Sequence, residues 1–114
     1  MGSLESSVLK ELWQSPEPLT PAEVKEGLDG DLAYTTVMTI LSRLWKKGLV
    51  TRSRAGRAYE YSPALSEAEF VAQRMQRELG RTKDRQAVLS RFVDRLSKRD
   101  AAALREVLGE VEDP

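Results

Sequence analysis

The sequence predicts a mainly α-helical chain with one small β-hairpin, and three observations predict it. Apolar residues recur at helical spacing along most of the 114 residues. Two short β-rich runs, "LVTRSR" and "AYEYSP", flank Ala55-Gly56-Arg57. Helix punctuation falls between the periodic stretches: proline at a first helical position, capping residues, and glycine after a last turn.

The elements follow in order. Leu4, Val8, Leu9, Leu12 and Trp13 share a helical face, and Ser15-Pro16 stops that helix because a residue before proline avoids the α region. "TPAE" starts a second helix: Thr20 caps, Pro21 wastes no N–H, and Glu23 completes a capping box. Val24 and Leu28 face inward, and Gly27 and Gly30 end it. A third helix spans about 35–47 and closes at Gly48. The hairpin occupies about 49–62, with the glycine at its tip. Three helices and a hairpin within about 60 residues form a winged helix-turn-helix.

Beyond Pro63 the character is helix alone. Ser66 and Glu69 form a second capping box and open a helix with Phe70, Val71, Met75 and Leu79 on one face, ended by Gly80. A fifth helix begins near Asp84 and carries Val88, Leu89, Phe92, Val93 and Leu96. Ser97 caps a sixth, with Ala101, Leu104, Val107, Leu108 and Val111. Three short helices with so many large apolar residues have little to pack against within one chain. An isologous dimer would bury them. The expected organisation is therefore a winged-helix domain over 1–63 and a three-helix dimerisation region over 64–114.

Composition excludes several chemistries. The chain has no cysteine and no histidine, which removes thiolate and imidazole metal sites, disulfides, and Ser-His or Cys-His nucleophile pairs. No catalytic residue, metal or cofactor is expected. No apolar run nears the roughly 18 residues of a membrane span, so the expected location is the cytoplasm, without membrane insertion. "MGSLES" fits the Met-Gly-x-x-x-Ser lipidation pattern, but so short a pattern arises easily by chance, and the expected reading is a small, flexible leader before a helix.

A formal net charge of zero hides a polarised chain. Residues 1–33 hold two lysines against seven acids, whereas residues 34–59 hold Arg43, Lys46, Lys47, Arg52, Arg54 and Arg57 against no acid. A polyanion senses that local asymmetry. At 100° per residue, Val37, Met38, Ile40, Leu41, Leu44 and Trp45 share one arc of the third helix, which predicts a buried Trp45 alongside a buried Trp13. Thr35, Thr36, Thr39, Ser42, Arg43, Lys46 and Lys47 share the other arc. A merely solvated face would mix glutamate with lysine, and clustered threonines cost helix propensity.

A DNA major groove explains that face. Hydroxyls reach phosphates or base edges, a threonine methyl packs on thymine, and arginine bridges guanine O6 and N7. Lys46 and Lys47, at the far end, suit phosphate as well as the helix dipole. Arg52 and Arg57, with Arg54, sit on or beside the hairpin, and Arg57 at the tip suits phosphate or a narrow minor groove. Tyr59 and Tyr61 lie on one face of their strand, at least one of them in the core. The function so predicted is a transcriptional repressor that binds palindromic double-stranded DNA operators as a homodimer. The alternative is a winged-helix module for protein interaction or RNA binding.

"LAYTTVMTILSRLWKKGLV", "RAGRAYEYSP" and a helical tail containing "RFVDRLS" together resemble the penicillinase-repressor family of the BlaI/MecI/CopY type. The resemblance runs from about Leu4 to near the C-terminus, and "AYTTVMT" with "RL" and "KGL" is its most specific part. It implies a cytoplasmic homodimeric repressor in which Thr35, Thr36, Thr39 and Arg43 are recognition-helix contacts, Lys46 a backbone contact and Arg57 a wing contact. It further implies dimer positions at Phe70, Met75, Leu79, Phe92, Leu96, Leu104 and Leu108. Copper-responsive members carry a Cys-x-Cys pair, so this cysteine-free chain lacks that sensing mode. Antibiotic-responsive members are cut at an Asn-Phe bond by a membrane sensor protease. The counterpart here, Arg91-Phe92, lacks the asparagine, which weakens the case for such a partner and for control of β-lactam resistance.

Overall fold

The computed structural model describes Ser3–Glu112. Gly2 of the lipidation pattern and the Val111 side chain lie outside the described residues. The order is α1 (Ser3–Gln14), α2 (Pro21–Gly27), α3 (Tyr34–Lys46), β1 (Val50–Ala55), β2 (Ala58–Pro63), α4 (Glu67–Gly80), α5 (Arg85–Asp94) and α6 (Lys98–Glu112). The chain divides into two compact units between Ala72 and Gln73, inside α4.

In the first unit, α1, α2 and α3 pack with the hairpin around one core. Val8, Leu9, Leu12, Val24, Val37, Leu41 and Leu44 are fully buried, and Ile40, Val50, Tyr61 and Phe70 nearly so. Each such side chain contributes about 1.5–3 kcal/mol of hydrophobic transfer energy. Local chemistry sets the boundaries. Glu23 N–H donates to the Thr20 hydroxyl at 3.3 Å while Thr20 N–H donates to the Glu23 carboxylate at 2.9 Å. Ser66 and Glu69 repeat the reciprocal pair at the start of α4. In each box the backbone N–H first, and then the hydroxyl, hold the glutamate pKa below its ordinary value.

α3 ends in a Schellman motif. Leu49 N–H donates to the Leu44 carbonyl and Gly48 N–H to the Trp45 carbonyl, both at 3.0 Å, with Gly48 at φ +78°. This cap turns the chain directly into β1. The strands pair antiparallel from Val50–Pro63 to Ala55–Ala58, leaving Gly56 and Arg57 as a two-residue loop. Positive φ at Gly56 but not at Arg57 is the type II′ pattern, whose twist suits a hairpin. Leu19 adds an isolated rung, with Leu19 N–H to the Tyr61 carbonyl at 3.0 Å and Tyr61 N–H to the Leu19 carbonyl at 2.8 Å.

Two expectations for α3 are corrected. Trp45 is 41% exposed and Met38 44% exposed, so neither is core. They lie seven residues apart along one edge of the apolar arc, while Val37, Ile40, Leu41 and Leu44 form its centre and meet α1 and α2. Trp13 is half-buried against the core; its indole N–H donates to the Leu65 carbonyl at 2.9 Å, and its ring meets Phe70 at 5.5 Å between centroids. Phe70, named above among the dimer positions, therefore packs in the first unit's core. Of the two tyrosines, Tyr61 is buried and Tyr59 half-buried.

The second unit is the rest of α4 with α5 and α6. Asp84 caps α5 by accepting from Ala87 N–H at 3.1 Å, and Ser97 caps α6 by accepting from Asp100 N–H at 3.0 Å. α5 buries no residue. Met75, Val88, Leu89, Phe92, Val93, Val107 and Leu108 are all 40% or more exposed, while Leu79, Leu96 and Leu104 are half-buried.

Candidate nucleic-acid interface

The polar arc of α3 is open. Thr35, Thr39, Arg43 and Lys46 are exposed, and Thr36 and Ser42 are half-buried at its margin. The inner strip, clamped on α1 and α2, leaves the opposite side no packing partner within the unit. Among the described residues Lys47 pairs with Glu5, whereas Arg43, Lys46 and Arg57 enter no ion pair. Those cations retain their full field for an outside anion.

The hydroxyls differ in what they offer. Thr39 Oγ1 donates to the Thr35 carbonyl at 2.9 Å. Its proton is spent inside the helix, leaving the methyl group and the oxygen lone pairs for a ligand. Thr35 and Thr36 make no such bond and keep a donor. Ala33 precedes the helix without a side-chain cap, so the N–H groups of Tyr34 and Thr35 are uncommitted at the positive end of the dipole. Sequence reasoning missed that feature; its signal was the alanine where a capping residue would stand.

Lys47 and Arg52 are engaged elsewhere. Lys47 Nζ bonds both carboxylate oxygens of Glu5, at 2.7 and 2.9 Å, with the Glu5 side chain only 10% exposed. The pair ties the end of α3 to the first turn of α1. The Arg52 guanidinium lies 3.7 Å from the Trp45 ring centroid and 4.1 Å from that of Tyr59. Arg54 lies 5.4 Å from the same tyrosine. Arg57 stands exposed at the hairpin tip. Arg91-Phe92 lies within the hydrogen-bonded helix α5.

Among the described residues no cluster of three or more potential ligands could hold a metal ion, and no helix is long and apolar enough to cross a membrane.

Comparison with known proteins bears on what this surface is for. A family model described as penicillinase repressor matches residues 1–110. A transcriptional regulator named BlaI from Mycobacterium tuberculosis is 45% identical over 117 residues, covering 98% of this chain and 85% of that protein. A penicillinase repressor from Bacillus licheniformis is 29% identical over 68 residues, 59% of this chain and 53% of that one. Among solved structures, a MarR-family transcriptional regulator from Rhodococcus gives a TM-score of 0.53 at 16% identity, over 100% of this chain and 76% of that one. The PcaV transcriptional regulator of Streptomyces coelicolor gives 0.50 at 24% identity, over 99% and 75%. At these identities the structural likeness speaks for the winged-helix fold alone.

Proposed function

The chain belongs to the penicillinase repressor family, and we propose on that premise that this non-enzymatic transcriptional regulator represses by binding a palindromic operator as a homodimer. α3 enters the major groove and the β1–β2 wing lies on the adjoining backbone or minor groove. One observation carries the proposal: the outward face of α3 presents hydroxyls and unpaired bases without an acid, opposite a strip that is fully committed to the core.

Thr35 and Thr36, near the helix start, donate to phosphate or base edges together with the uncapped N–H groups of Tyr34 and Thr35. Thr39 contributes its methyl to a thymine or its lone pairs to an amino group, since its proton is used. Arg43, one turn on, bridges guanine, and Ser42 lies at the edge of that contact. Lys46 binds phosphate and carries no sequence information, while Arg57 binds phosphate or a narrow minor groove that it reads by shape. The exposed apolar side chains of the second unit, with the half-buried Leu79, Leu96 and Leu104, meet their counterparts in a second copy. That two-fold relation sets the operator's inverted repeat.

The test is to incubate purified protein with sheared genomic DNA from its own source at physiological salt and sequence what is retained. The expected result is a few sharp peaks that share an inverted repeat, with half-sites about one helical turn apart. Uniform retention would reduce the interaction to charge alone. No retention would move the reading to a protein-binding winged helix.

A further inference from the structure

Arg52 is one of six bases on the acid-free stretch, yet its surroundings differ from those of Arg43 or Arg57. Its guanidinium is held between two aromatic faces, Trp45 from the last turn of α3 and Tyr59 from β2, at 3.7 and 4.1 Å from their centroids. Trp45 belongs to the recognition helix and Tyr59 to the wing, so the stack bridges the two elements that must meet DNA together. It also accounts for an exposed tryptophan whose indole N–H bonds no protein acceptor, and for Tyr59 standing edge-on to the buried Tyr61 at 6.5 Å.

The geometry points to Arg52 as a positioning residue: its stacked guanidinium fixes the angle of the wing against α3 and does not itself neutralise a phosphate. The Schellman turn at Gly48 sets where β1 leaves α3, and its hydrogen bonds lie at the base of the hairpin. The base is anchored by Val50, Tyr61 and the Leu19 rung; Arg52 pairs with Tyr61 there, and its stack reaches outward to Tyr59 and across to Trp45. A planar, weakly hydrated guanidinium suits such a slot, and a lysine ammonium does not. The DNA half of the inference rests on the operator-binding reading above; the clamp itself does not.

Two measurements separate them. In the free protein, amide hydrogen exchange is followed in wild type, Arg52→Lys, Arg52→Gln and, as a control, Arg57→Gln. Hairpin amides from Arg52 to Glu60 should exchange about five- to tenfold faster in both Arg52 variants, as expected for loss of one cation–π stack. Those of α1 and the core of α3 should be unchanged, and Arg57→Gln should match wild type. Equal protection in Arg52→Lys and wild type would overturn the clamp whether or not the protein binds DNA.

The second measurement uses a fluorescein-labelled 24-base-pair duplex of arbitrary sequence across a salt series. Arg52→Gln should keep the wild-type slope of affinity against salt, whereas Arg57→Gln should lower it by about 0.9. A drop of that size in Arg52→Gln, restored by Arg52→Lys, would make Arg52 a phosphate contact and overturn the proposal. Failure of wild type to bind this arbitrary duplex even at low salt would count against the electrostatic part of the DNA-binding reading, and the exchange data alone would then decide the clamp.

Discussion

The two units treat apolar surface in opposite ways. In the first, seven side chains are fully buried in a core that α1, α2 and α3 share with the hairpin, and Leu4, Tyr34, Met38 and Trp45 are left exposed at its edges. In the second, α5 buries nothing and Val88, Leu89, Phe92 and Val93 are each at least 40% exposed. Yet the second unit is as well punctuated as the first, with side-chain caps on both α5 and α6. Caps and periodicity make a helix; they do not make a core. The first unit carries its stability within one chain, and we propose that the second obtains it from a second copy.

The largest expected effect breaks that contrast directly. Phe92→Glu puts a carboxylate into the proposed dimer face, where an uncompensated buried charge costs several kcal/mol. Sedimentation velocity should show monomers at concentrations where wild type is dimeric, with operator affinity falling at least about 100-fold. A dimer of unchanged strength would refute the interface.

Next come the outward residues of α3, which sharpen the contrast by asking whether the first unit's free face is as specific as its core. Arg43→Ala should cost about 1–3 kcal/mol on the operator and relax base preference, while Lys46→Ala should weaken all duplexes alike and shallow the salt slope by about one unit. Equal losses on operator and random DNA for Arg43→Ala would reject base readout by that residue.

A similar or smaller effect is expected at Lys47. Lys47→Met strands the nearly buried Glu5 carboxylate and should lower stability in urea by about 1–3 kcal/mol, with the double variant Glu5→Gln/Lys47→Met recovering most of it. Full stability in the single variant would show that the pair holds nothing.

The smallest effect concerns the capping boxes, one at the start of α2 and one at the start of α4. Because the folded pKa values of Glu23 and Glu69 are lowered, their contribution is present above the unfolded carboxylate pKa and is lost as pH falls through the folded value. Glu23→Gln should flatten the acid side of the stability–pH curve slightly, lowering stability a little near neutrality and leaving it unchanged at low pH. A loss of the same size at low pH as at neutral pH would contradict the assignment.

What could be read from the sequence follows the range of the interactions. Thr20 with Glu23, Ser66 with Glu69, and Gly48 all act within a few residues, so residue order alone announces them. The polar arc of α3 was legible because helical period converts order into direction. Trp45 and Met38 were misjudged at that same step: periodicity finds the centre of an arc, but its edges depend on what packs beside them. Here the hairpin brings a guanidinium to Trp45, not an apolar wall. The tie between Glu5 and Lys47 spans 42 residues and left no local trace. Leu19 forms a single rung, too short for any period, between Pro18 and the capped start of α2. The order of Tyr59 and Tyr61 depends on depth along the hairpin, which alternation does not encode.

The central claim is that α3 reads bases from the major groove, and major-groove interference tests it most directly. The retained operator would be prepared with guanines methylated at N7, and separately with thymines replaced by uracil to remove the C5 methyl. Binding by wild type and Arg43→Ala would then be compared. Interference should cluster in two symmetric half-sites, with the guanine signal facing Arg43 lost in the variant and a thymine signal facing Thr39 retained. Binding indifferent to both modifications along the whole site would mean that α3 does not enter the groove.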